Sequence, residues 1–295
     1  MINKLKQWIK NQLRFIVRSE IEELKKKLSI EFSHLYFEYR WKEIEKDKSI
    51  TKIVYNLKDD IFINLYKDSY LSYPIFAQQF EKETIEFISS NLSAGDCFID
   101  IGANIGFFSL IAADMVENNG VVISFEPTET TYNKLRENVV LNNFENTQCF
   151  NLALSDFDGT STFNVSLDGH DAFNSFSLPH HGEHYIEQEI EVKKLDNYYS
   201  LIQPYKNKIL IKVDVEGWEY SVIKGAEKIL SDLDPVLILE FNDENTIHSS
   251  KKCTDLYALL NTYGYKLYSL NDHSLIPKKN EGYFTYQNLI AKKNF

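Results

Sequence analysis

A turn with two glycines follows a strongly apolar run, in the stretch FIDIGANIGFFSL at residues 98–110. Gly102 and Gly106 permit a positive φ and let a ligand approach the backbone closely. The helix expected after them offers unpaired N–H groups and the positive end of a dipole. Asp100 precedes the turn, and Glu126 ends the next apolar run, 24 residues beyond Gly102. A carboxylate at that place suits the two hydroxyls of a ribose, so the pattern predicts a nucleoside-containing ligand.

Three kinds of ligand bind at such turns. A dinucleotide needs G-x-G-x-x-G, but Asn104 occupies the position of the middle glycine and Phe107 that of the third. A phosphate loop ending in G-K-[ST] is missing as well. S-adenosylmethionine has no phosphate and tolerates Asn104, with Asp100 near its ammonium group and backbone N–H groups on its carboxylate. The spacing favours S-adenosylmethionine. An NAD(P)-dependent oxidoreductase and a domain that binds cofactor or glycan without turnover remain the alternatives.

Four ordered blocks of the sequence resemble the FkbM-type methyltransferases, which have the class I S-adenosylmethionine-dependent fold. These blocks are FIDIGANIGFFSL, the FEP that ends in Pro127, ALSDFDG at residues 153–159 and IKVDVEGWEYSVIKGA at residues 211–226. The resemblance covers roughly residues 80–269. It implies an O-methyltransferase that acts on a hydroxyl group of a sugar, a glycan or a secondary metabolite.

The resemblance also implies which residues bind the cofactor. The residues at its methionine end would be Asp100, Gly102, Ala103, Asn104 and Gly106. Glu126 would bind the ribose hydroxyls. Asp156 would accept a hydrogen bond from the adenine amino group, with Ser155 beside it. From the residues alone, Asp156 is equally well explained as a turn residue before Gly159.

A second dense group of ionisable residues is KVDVEGWE, at residues 212–219. Lys212 and Asp214 alternate with apolar residues on a strand that should be buried, where ionised groups need partners. Methyl transfer to an alcohol requires aligned reacting atoms and removal of the hydroxyl proton. We expect Asp214 to be the base, with His170 of the GHD segment as the second candidate. Lys212 and Glu240 complete the predicted catalytic group.

A metal ion is the alternative to a free base. Glu240 and Asn242 close the later apolar run LILEFN and would bring oxygen ligands opposite Asp214. These three residues would suit Mg²⁺, which keeps several waters and uses few protein carboxylates. The same spacing suits a metal-free proton relay, and a metal-free site is the expectation.

The remaining pattern predicts the elements that hold these residues. Apolar runs alternate with helical periods, which is typical of a doubly wound, mostly parallel α/β sheet. With the resemblance, we expect a seven-stranded Rossmann-like methyltransferase sheet. Predicted strands lie at residues 97–101, 121–125, 148–153, 209–215, 236–241 and 266–269, with a further strand at 61–67. Predicted helices lie at residues 80–92, 106–118, 130–142, 221–230 and 254–263. Ligands bind such sheets beyond the carboxyl ends of the strands, so the loop after Gly102 is the expected site.

Residues 159–194 interrupt this alternation. They show no helical period and carry four of the seven histidines. An insertion of this length is more often a lid or a substrate loop than a plain surface excursion. We predict a substrate loop within a methyltransferase domain at residues 49–295.

Residues 1–48 are predicted to form an N-terminal helical extension, as one long amphipathic helix or two in succession. Its apolar residues recur at spacings of three and four, or their sum: Leu5, Ile9, Leu13, Ile16, Val17, Ile21, Leu24, Leu28, Leu35 and Tyr39. Packing on the chain's own domain, a coiled coil and an anionic membrane surface are open alternatives. Residues 1–18 carry five basic residues and no acid. We expect the helix to form a homo-oligomer, most simply a dimer, with membrane contact confined to its basic tip.

The composition argues against several other classes. The chain of 295 residues is 43% hydrophobic and 25% charged, as in an ordinary globular protein. No apolar run approaches the ~18 residues of a membrane span. A net charge of −11 argues against general nucleic-acid binding. The three cysteines cannot all pair, and the N-terminus lacks the features of a secretory signal, so we expect a cytoplasmic protein with any membrane contact at the inner face.

Overall fold

Twelve strands and a set of short helices are seen in the computed structural model, which describes residues 20, 23–25, 27–28, 31–166, 184–206, 208–246, 251–276, 284–285 and 287–293. The strands are β1 (Lys52–Lys58), β2 (Ile61–Tyr66), β3 (Cys97–Ile101), β4 (Val121–Phe125), β5 (Thr147–Phe150), β6 (Ala153–Leu154), β7 (Gly159–Ser166), β8 (Tyr185–Lys193), β9 (Ile209–Val213), β10 (Val236–Phe241), β11 (Lys266–Ser269) and β12 (Gln287–Lys292). The helices are α1 (31–46), α2 (Ser72–Phe76), α3 (Lys82–Asn91), α4 (Phe107–Val116), α5 (Glu129–Leu141), α6 (Tyr199–Ile202), α7 (Glu219–Lys224), α8 (Glu227–Asp232) and α9 (Cys253–Thr262). Short 3₁₀ turns flank α6 on both sides.

The central sheet has seven strands in the order β11-β12-β10-β9-β3-β4-β5. Strands β10, β9, β3, β4 and β5 are parallel, and β12 runs antiparallel to both of its neighbours. From β3 the chain continues outward to β4 and β5, and it later returns to β9 and continues to β10 on the other side. The strand order therefore reverses between β3 and β9. The predicted doubly wound, mostly parallel sheet is confirmed.

Alternate residues of the central strands supply the two sides of the core. On β3, Ile99 belongs to one buried apolar cluster and Phe98 to the other. Every residue of β3, β4 and β9 is buried, which explains why these strands read as continuous apolar runs. Asp100 is one of three polar residues in these buried strands. It lies in register with Lys212 of β9 and with Ser124 of β4, so polar residues form one row across the sheet.

Two predicted elements are divided in the structure. The predicted strand at 148–153 becomes β5 and β6, and β6 joins a different sheet. The predicted helix at 221–230 becomes α7 and α8, which are separated at Gly225 and Ala226. A Cβ added at Gly225 would overlap the carbonyl oxygen of Ser155, so the chain passes this point only with a glycine.

The segment at 159–194, predicted as a loop, is in its described part mostly a β-hairpin. Strands β7 and β8 pair antiparallel along their whole length, from Gly159 with Val192 to Ser166 with Tyr185. Strand β6 adds to β8 to give a three-stranded sheet in the order β6-β8-β7. Residues 167–183, which include His170, lie outside the described residues. A role in substrate binding stays a prediction.

Helix α1 packs on α2 through aromatic side chains. The ring centroids of Phe37 and Phe76 are 5.5 Å apart, and Trp41 lies 5.4 Å from Phe76 and 6.1 Å from Tyr73. Trp41 is buried at 6% exposure. The described C-terminal part of the helical extension is therefore attached to the domain, and residues 1–19 lie outside the described part. Among the helices that the structure describes, none has the length and apolar character of a membrane span.

Candidate active site

Two adjoining cavities lie at the carboxyl end of the central sheet, where the strand order reverses. The smaller, here called the Glu126 cavity, has a volume of about 50 Å³ and includes Glu126, residues 152–154 and Phe163 in its wall. The larger, called the Glu81 cavity, has a volume of about 270 Å³. The residues that line the Glu81 cavity are Tyr70, Leu71, Phe80, Glu81, Gly102, Ala103, Asn104, Phe107, Phe108, Lys212, Asp214, Glu216 and Glu240. Four residues line both cavities: Gly102, Asn104, Asp214 and Glu216.

The glycine turn brings the ends of β3 and β9 together. Gly102 has a φ of +82°, and a Cβ added there would overlap the carbonyl oxygen of Asp214. The Asp214 N–H in turn donates to the Ile101 carbonyl oxygen at 3.0 Å. Asn104 also has a positive φ, of 47°, which an asparagine tolerates better than most residues. Gly102 is therefore needed to place Asp214 beside the turn.

Glu126 closes the other side of the turn. Its Oε2 accepts the Asn104 N–H at 3.0 Å, and its Oε1 accepts the Thr128 N–H at 3.0 Å. The residue is buried at 6% exposure and lines its cavity. A carboxylate oxygen has two lone pairs and accepts more than one hydrogen bond, so a carboxylate at this place suits a ribose diol.

Lys212 is the charged centre of a buried network. Its Nζ donates to Asp214 Oδ2 at 2.7 Å and lies 4.7 Å from the centroid of the Phe108 ring. Burial opposes the charged form of this lysine, but Asp214, Glu81 and Asp100 outweigh it and raise the lysine pKa. Lys212 is therefore a cation that holds several carboxylates in place.

Asp100 lies behind the turn. Its Oδ2 accepts the Ser109 hydroxyl at 2.6 Å, and its Oδ1 is buried without a hydrogen-bond partner among the described residues. Burial raises the pKa of this carboxyl, and Lys212 opposes the rise. Asp100 lines neither cavity, whereas the sequence places it against the methionine end of the cofactor. In the structure it faces Ser109 and the lysine.

Two further carboxylates lie beside Asp214. Glu216 Oε2 accepts the Asn245 side-chain amide at 2.6 Å, and the same amide lies 3.3 Å from both oxygens of Glu240. Burial, followed by repulsion from Asp214, raises the pKa of Glu216 and of Glu240 well above the usual range. Each of these carboxyl groups therefore holds its proton more tightly than an exposed glutamate does.

The carboxylates of Asp214, Glu216 and Glu240 also form the acidic cluster that could hold a metal ion. One oxygen of each lies within 4.8 Å of the others. The sequence suggests Asn242 as the third ligand, and that assignment stays a prediction. Asn242 Oδ1 accepts the Glu244 N–H at 3.1 Å in a local turn, and Glu216 brings a third carboxylate close to Asp214 and Glu240.

Glu219 has a structural role that the sequence leaves open. Its Oε1 accepts the N–H groups of Val215 and Gly217 at 3.1 and 3.2 Å. Burial raises the pKa of Glu219 to about 7. This side chain therefore fixes the loop that carries Glu216.

Glu81 is a site residue that the sequence did not reveal. Its Oε2 accepts the Asn288 side-chain amide at 2.7 Å, across 207 positions of the chain. Burial raises the pKa of its carboxyl, while Lys212 opposes the rise. Its φ of 34° places it in the left-handed region. A contact this distant in sequence has no local pattern that could have predicted it.

Ser155 and Asp156 lie next to the Glu126 cavity but not in its wall. Asp156 Oδ2 accepts Lys224 Nζ at 2.6 Å, and this pair lowers the pKa of the aspartate. The Ser155 hydroxyl accepts the Trp218 indole N–H at 3.0 Å. Both residues tie the end of β6 to α7, and their contact with adenine stays a prediction. Phe163 of the hairpin does line the cavity, which the sequence did not indicate.

A model of the methyltransferase FkbM domain matches residues 100–267, more than half of the chain. The chain belongs to the FkbM methyltransferase family. No curated protein matches it at a significant level. Solved structures similar to this FkbM protein include an FkbM methyltransferase from Methylobacillus flagellatus KT, with 17% identity over 80% of this chain and 56% of the other, at a TM-score of 0.40.

Two other solved structures are similar to the FkbM chain at the same level. The precorrin-6y C5,15-methyltransferase from Geobacter metallireducens GS-15 has 12% identity, covers 72% of this chain and 88% of its own, and has a TM-score of 0.41. The M. jannaschii TYW2 protein in complex with AdoMet has 15% identity over 82% of this chain and 85% of its own, at a TM-score of 0.40.

Membership in this family makes the FkbM protein an S-adenosylmethionine-dependent methyltransferase. The residues present fit that cofactor. The Glu126 carboxylate suits a ribose, the apolar residues 152–154 suit a base, and Gly102 of the turn lines both cavities. When bound, the cofactor supplies an electrophilic methyl group. The predicted cofactor is confirmed, while the role of each residue stays a prediction.

Proposed function

We propose that this FkbM protein methylates a hydroxyl oxygen of a sugar, a glycan or a secondary metabolite. The observation that carries the proposal is the common wall of the two cavities. Asp214 and Glu216 line both, so carboxylates stand where the cofactor cavity meets the larger one. An alcohol needs its proton removed as the methyl group arrives, and a positioned carboxylate does this.

The far part of the Glu81 cavity is the proposed acceptor site. The turn residues on its near side suit the methionine end of the cofactor. The far side has apolar rings in Tyr70, Phe80 and Phe107 and carboxylates in Glu81 and Glu240. Carboxylates accept strong hydrogen bonds from hydroxyl groups, and rings pack against the apolar face of a sugar. Tyr70, Phe80 and Glu81 precede the family match at residues 100–267, so they are proposed to select the acceptor.

Asp214 is the proposed base. Lys212 holds its Oδ2 at 2.7 Å, which fixes the side chain and leaves Oδ1 for the acceptor hydroxyl. Positioning of this kind is what an in-line displacement requires. Glu216 is the neighbouring carboxylate on the same wall. Lys212 and Glu240 lie beside Asp214 and Glu216 in the wall of the Glu81 cavity.

The test of the reaction uses S-adenosylmethionine with a labelled methyl group. The full chain is incubated with glycan and metabolite extracts, and the labelled product is analysed by mass spectrometry. We expect the label in a methyl ether. Label in an amine or on carbon would refute O-methylation while leaving the methyltransferase assignment intact.

Asp214→Asn is the variant that tests the base. It keeps the shape of the side chain and removes its basicity, so the rate should fall by ~10²-fold or more, with little change in affinity for S-adenosylhomocysteine. Asp114→Asn on the exposed side of α4 is the matched control and should keep full activity. Near-normal turnover by Asp214→Asn would remove Asp214 from this role. A rate that disappears on chelation and returns with Mg²⁺ would replace the free base with a metal at Asp214, Glu216 and Glu240.

A further inference from the structure

The helical extension carries an exposed apolar stripe that faces away from the domain. Its members are Leu24, Leu28, Phe32, Leu35, Tyr36 and Tyr39, and each is between 44% and 69% exposed. The described residues between 20 and 46 are all helical. At 100° per residue, these six positions fall within an arc of about 120° of the helix surface.

The domain does not cover this stripe, because it binds the opposite face of the helix. Phe37, Trp41 and Ile44 pack against the domain, and His34 Nδ1 lies 2.9 Å from the Gln79 side-chain amide. These four positions lie roughly 180° from the centre of the stripe. Packing on the chain's own domain therefore covers the face that carries Phe37 and Trp41. It leaves the apolar stripe exposed.

We propose that the stripe is the contact surface for the same stripe of a second copy of this chain. The spacings of four, four, three and four between Leu24, Leu28, Phe32, Leu35 and Tyr39 are the spacings by which one helix fits another. A large side chain has on the order of 200 Å² of surface, so the exposed fractions amount to roughly 700 Å² per chain. A standard interface buries about 800 Å² per partner, and this stripe supplies most of that area.

The charges beside the stripe favour a protein partner over a lipid surface. Residues 20–46 carry seven acids and six basic residues, so this length of helix has almost no net charge. Several of the charges are paired within the helix, as Lys27 with Glu23 at 2.8 Å and Lys42 with Glu38 at 2.6 Å. An anionic membrane attracts a helix through an excess of basic residues, which this part lacks. The inference does not depend on the proposed acceptor.

The test measures the mass of the full chain in solution by light scattering and sedimentation. We expect a particle of twice 34.5 kDa at micromolar concentration. Leu35→Lys places a charge in the middle of the stripe and should weaken the dimer about tenfold or more, since a buried unpaired charge is costly. Ser33→Lys is the matched control. It introduces the same residue two positions away, about 160° around the helix, and should leave the dimer unchanged.

Phe32→Lys is a second, independent variant, and it should dissociate the dimer as Leu35→Lys does. Circular dichroism and S-adenosylhomocysteine binding show that each variant is folded, since the stripe lies outside both cavities. A full chain that is monomeric at every concentration overturns the proposal. So does a dimer that survives both stripe variants. A monomer that floats with anionic vesicles also overturns it and makes a lipid surface the occupant.

Discussion

The loss of Lys212 should have a large effect on stability. This residue is 3% exposed and faces three carboxylates: Asp214 at 2.7 Å, Asp100 in register on β3, and Glu81. Lys212→Met keeps most of the volume of the side chain and removes the charge. The carboxylates then stay buried without the cation that compensates them.

The expected loss follows from the burial of this ion pair. Removing one partner of a buried pair costs about 3–5 kcal/mol, because the other charge remains uncompensated. For a chain of this size, each kcal/mol lowers the melting temperature by about 2–4 °C, so the variant should melt roughly 6 to 20 °C below the wild type. The control is Lys224→Met, which breaks the pair with Asp156 at 2.6 Å. That lysine side chain is 52% exposed, so its loss should lower the melting temperature far less than the loss of Lys212.

The pH dependence of the loss provides the sharper measurement. Without Lys212, the pKa of Asp100 rises further above its value in the unfolded chain. A group whose pKa is raised by folding contributes stability at low pH that is lost as the pH rises through that pKa. Thermal unfolding of both variants and the wild type should therefore show that the loss in Lys212→Met shrinks as the pH falls towards 5. A loss no larger than that of Lys224→Met, or one that is equal at pH 5 and pH 8, would refute the reasoning.

Two more predictions concern single carboxylates of the site. Glu126→Ala should weaken S-adenosylhomocysteine binding by ~1.5–3 kcal/mol in calorimetry, because charge-assisted hydrogen bonds to the ribose are lost. Unchanged affinity would show that this glutamate serves the turn alone. Burial raises the pKa of Glu219 to about 7, so the stability of the wild type should fall as the pH rises from about 4.5 through 7. Glu219→Gln keeps an oxygen for the Val215 and Gly217 N–H groups and should flatten that slope in pH-dependent unfolding. The same slope in both proteins would assign it to other groups.

Much of the sheet was predictable because its central strands are buried on both faces. Their apolar runs are continuous, and the bounds of β3, β4, β10 and β11 agree with the predicted ones. The turn was predictable for another reason. Gly102 and Glu126 directly follow β3 and β4, two parallel strands that are consecutive in the chain. Their spacing can therefore be seen in the sequence itself.

The hairpin has no helical period, and its pattern is that of a strand. Two sets of residues alternate along β8. One set is mostly apolar and the other mostly acidic: Ile186, Gln188, Ile190 and Val192 against Tyr185, Glu187, Glu189 and Glu191. Such alternation is the period of a strand with one covered face, so the signal was present in the sequence. Its interruption by residues 167–183 hid the pairing of the two halves.

The acceptor side of the site had no comparable signal. Glu81 meets Asn288 and faces Lys212 only after the chain has folded. No pattern in the sequence indicated that Glu216 lies beside Asp214 and Glu240, or that Asn242 Oδ1 accepts the Glu244 N–H in a local turn. Such contacts depend on the conformations of loops that are distant in the sequence. Residue types and spacing do not determine those conformations.

The position of α2 gives the N-terminal helix a second consequence. The two segments that flank α2 supply Tyr70 and Leu71 before it and Phe80 and Glu81 after it, all in the wall of the Glu81 cavity. On its outer side, α2 is held by the rings of α1. A shortened chain that begins at residue 49 would leave that side of α2 uncovered and loosen both segments. The helix that is proposed to join two copies therefore also supports the segments that carry the proposed acceptor site, and its removal should change substrate affinity.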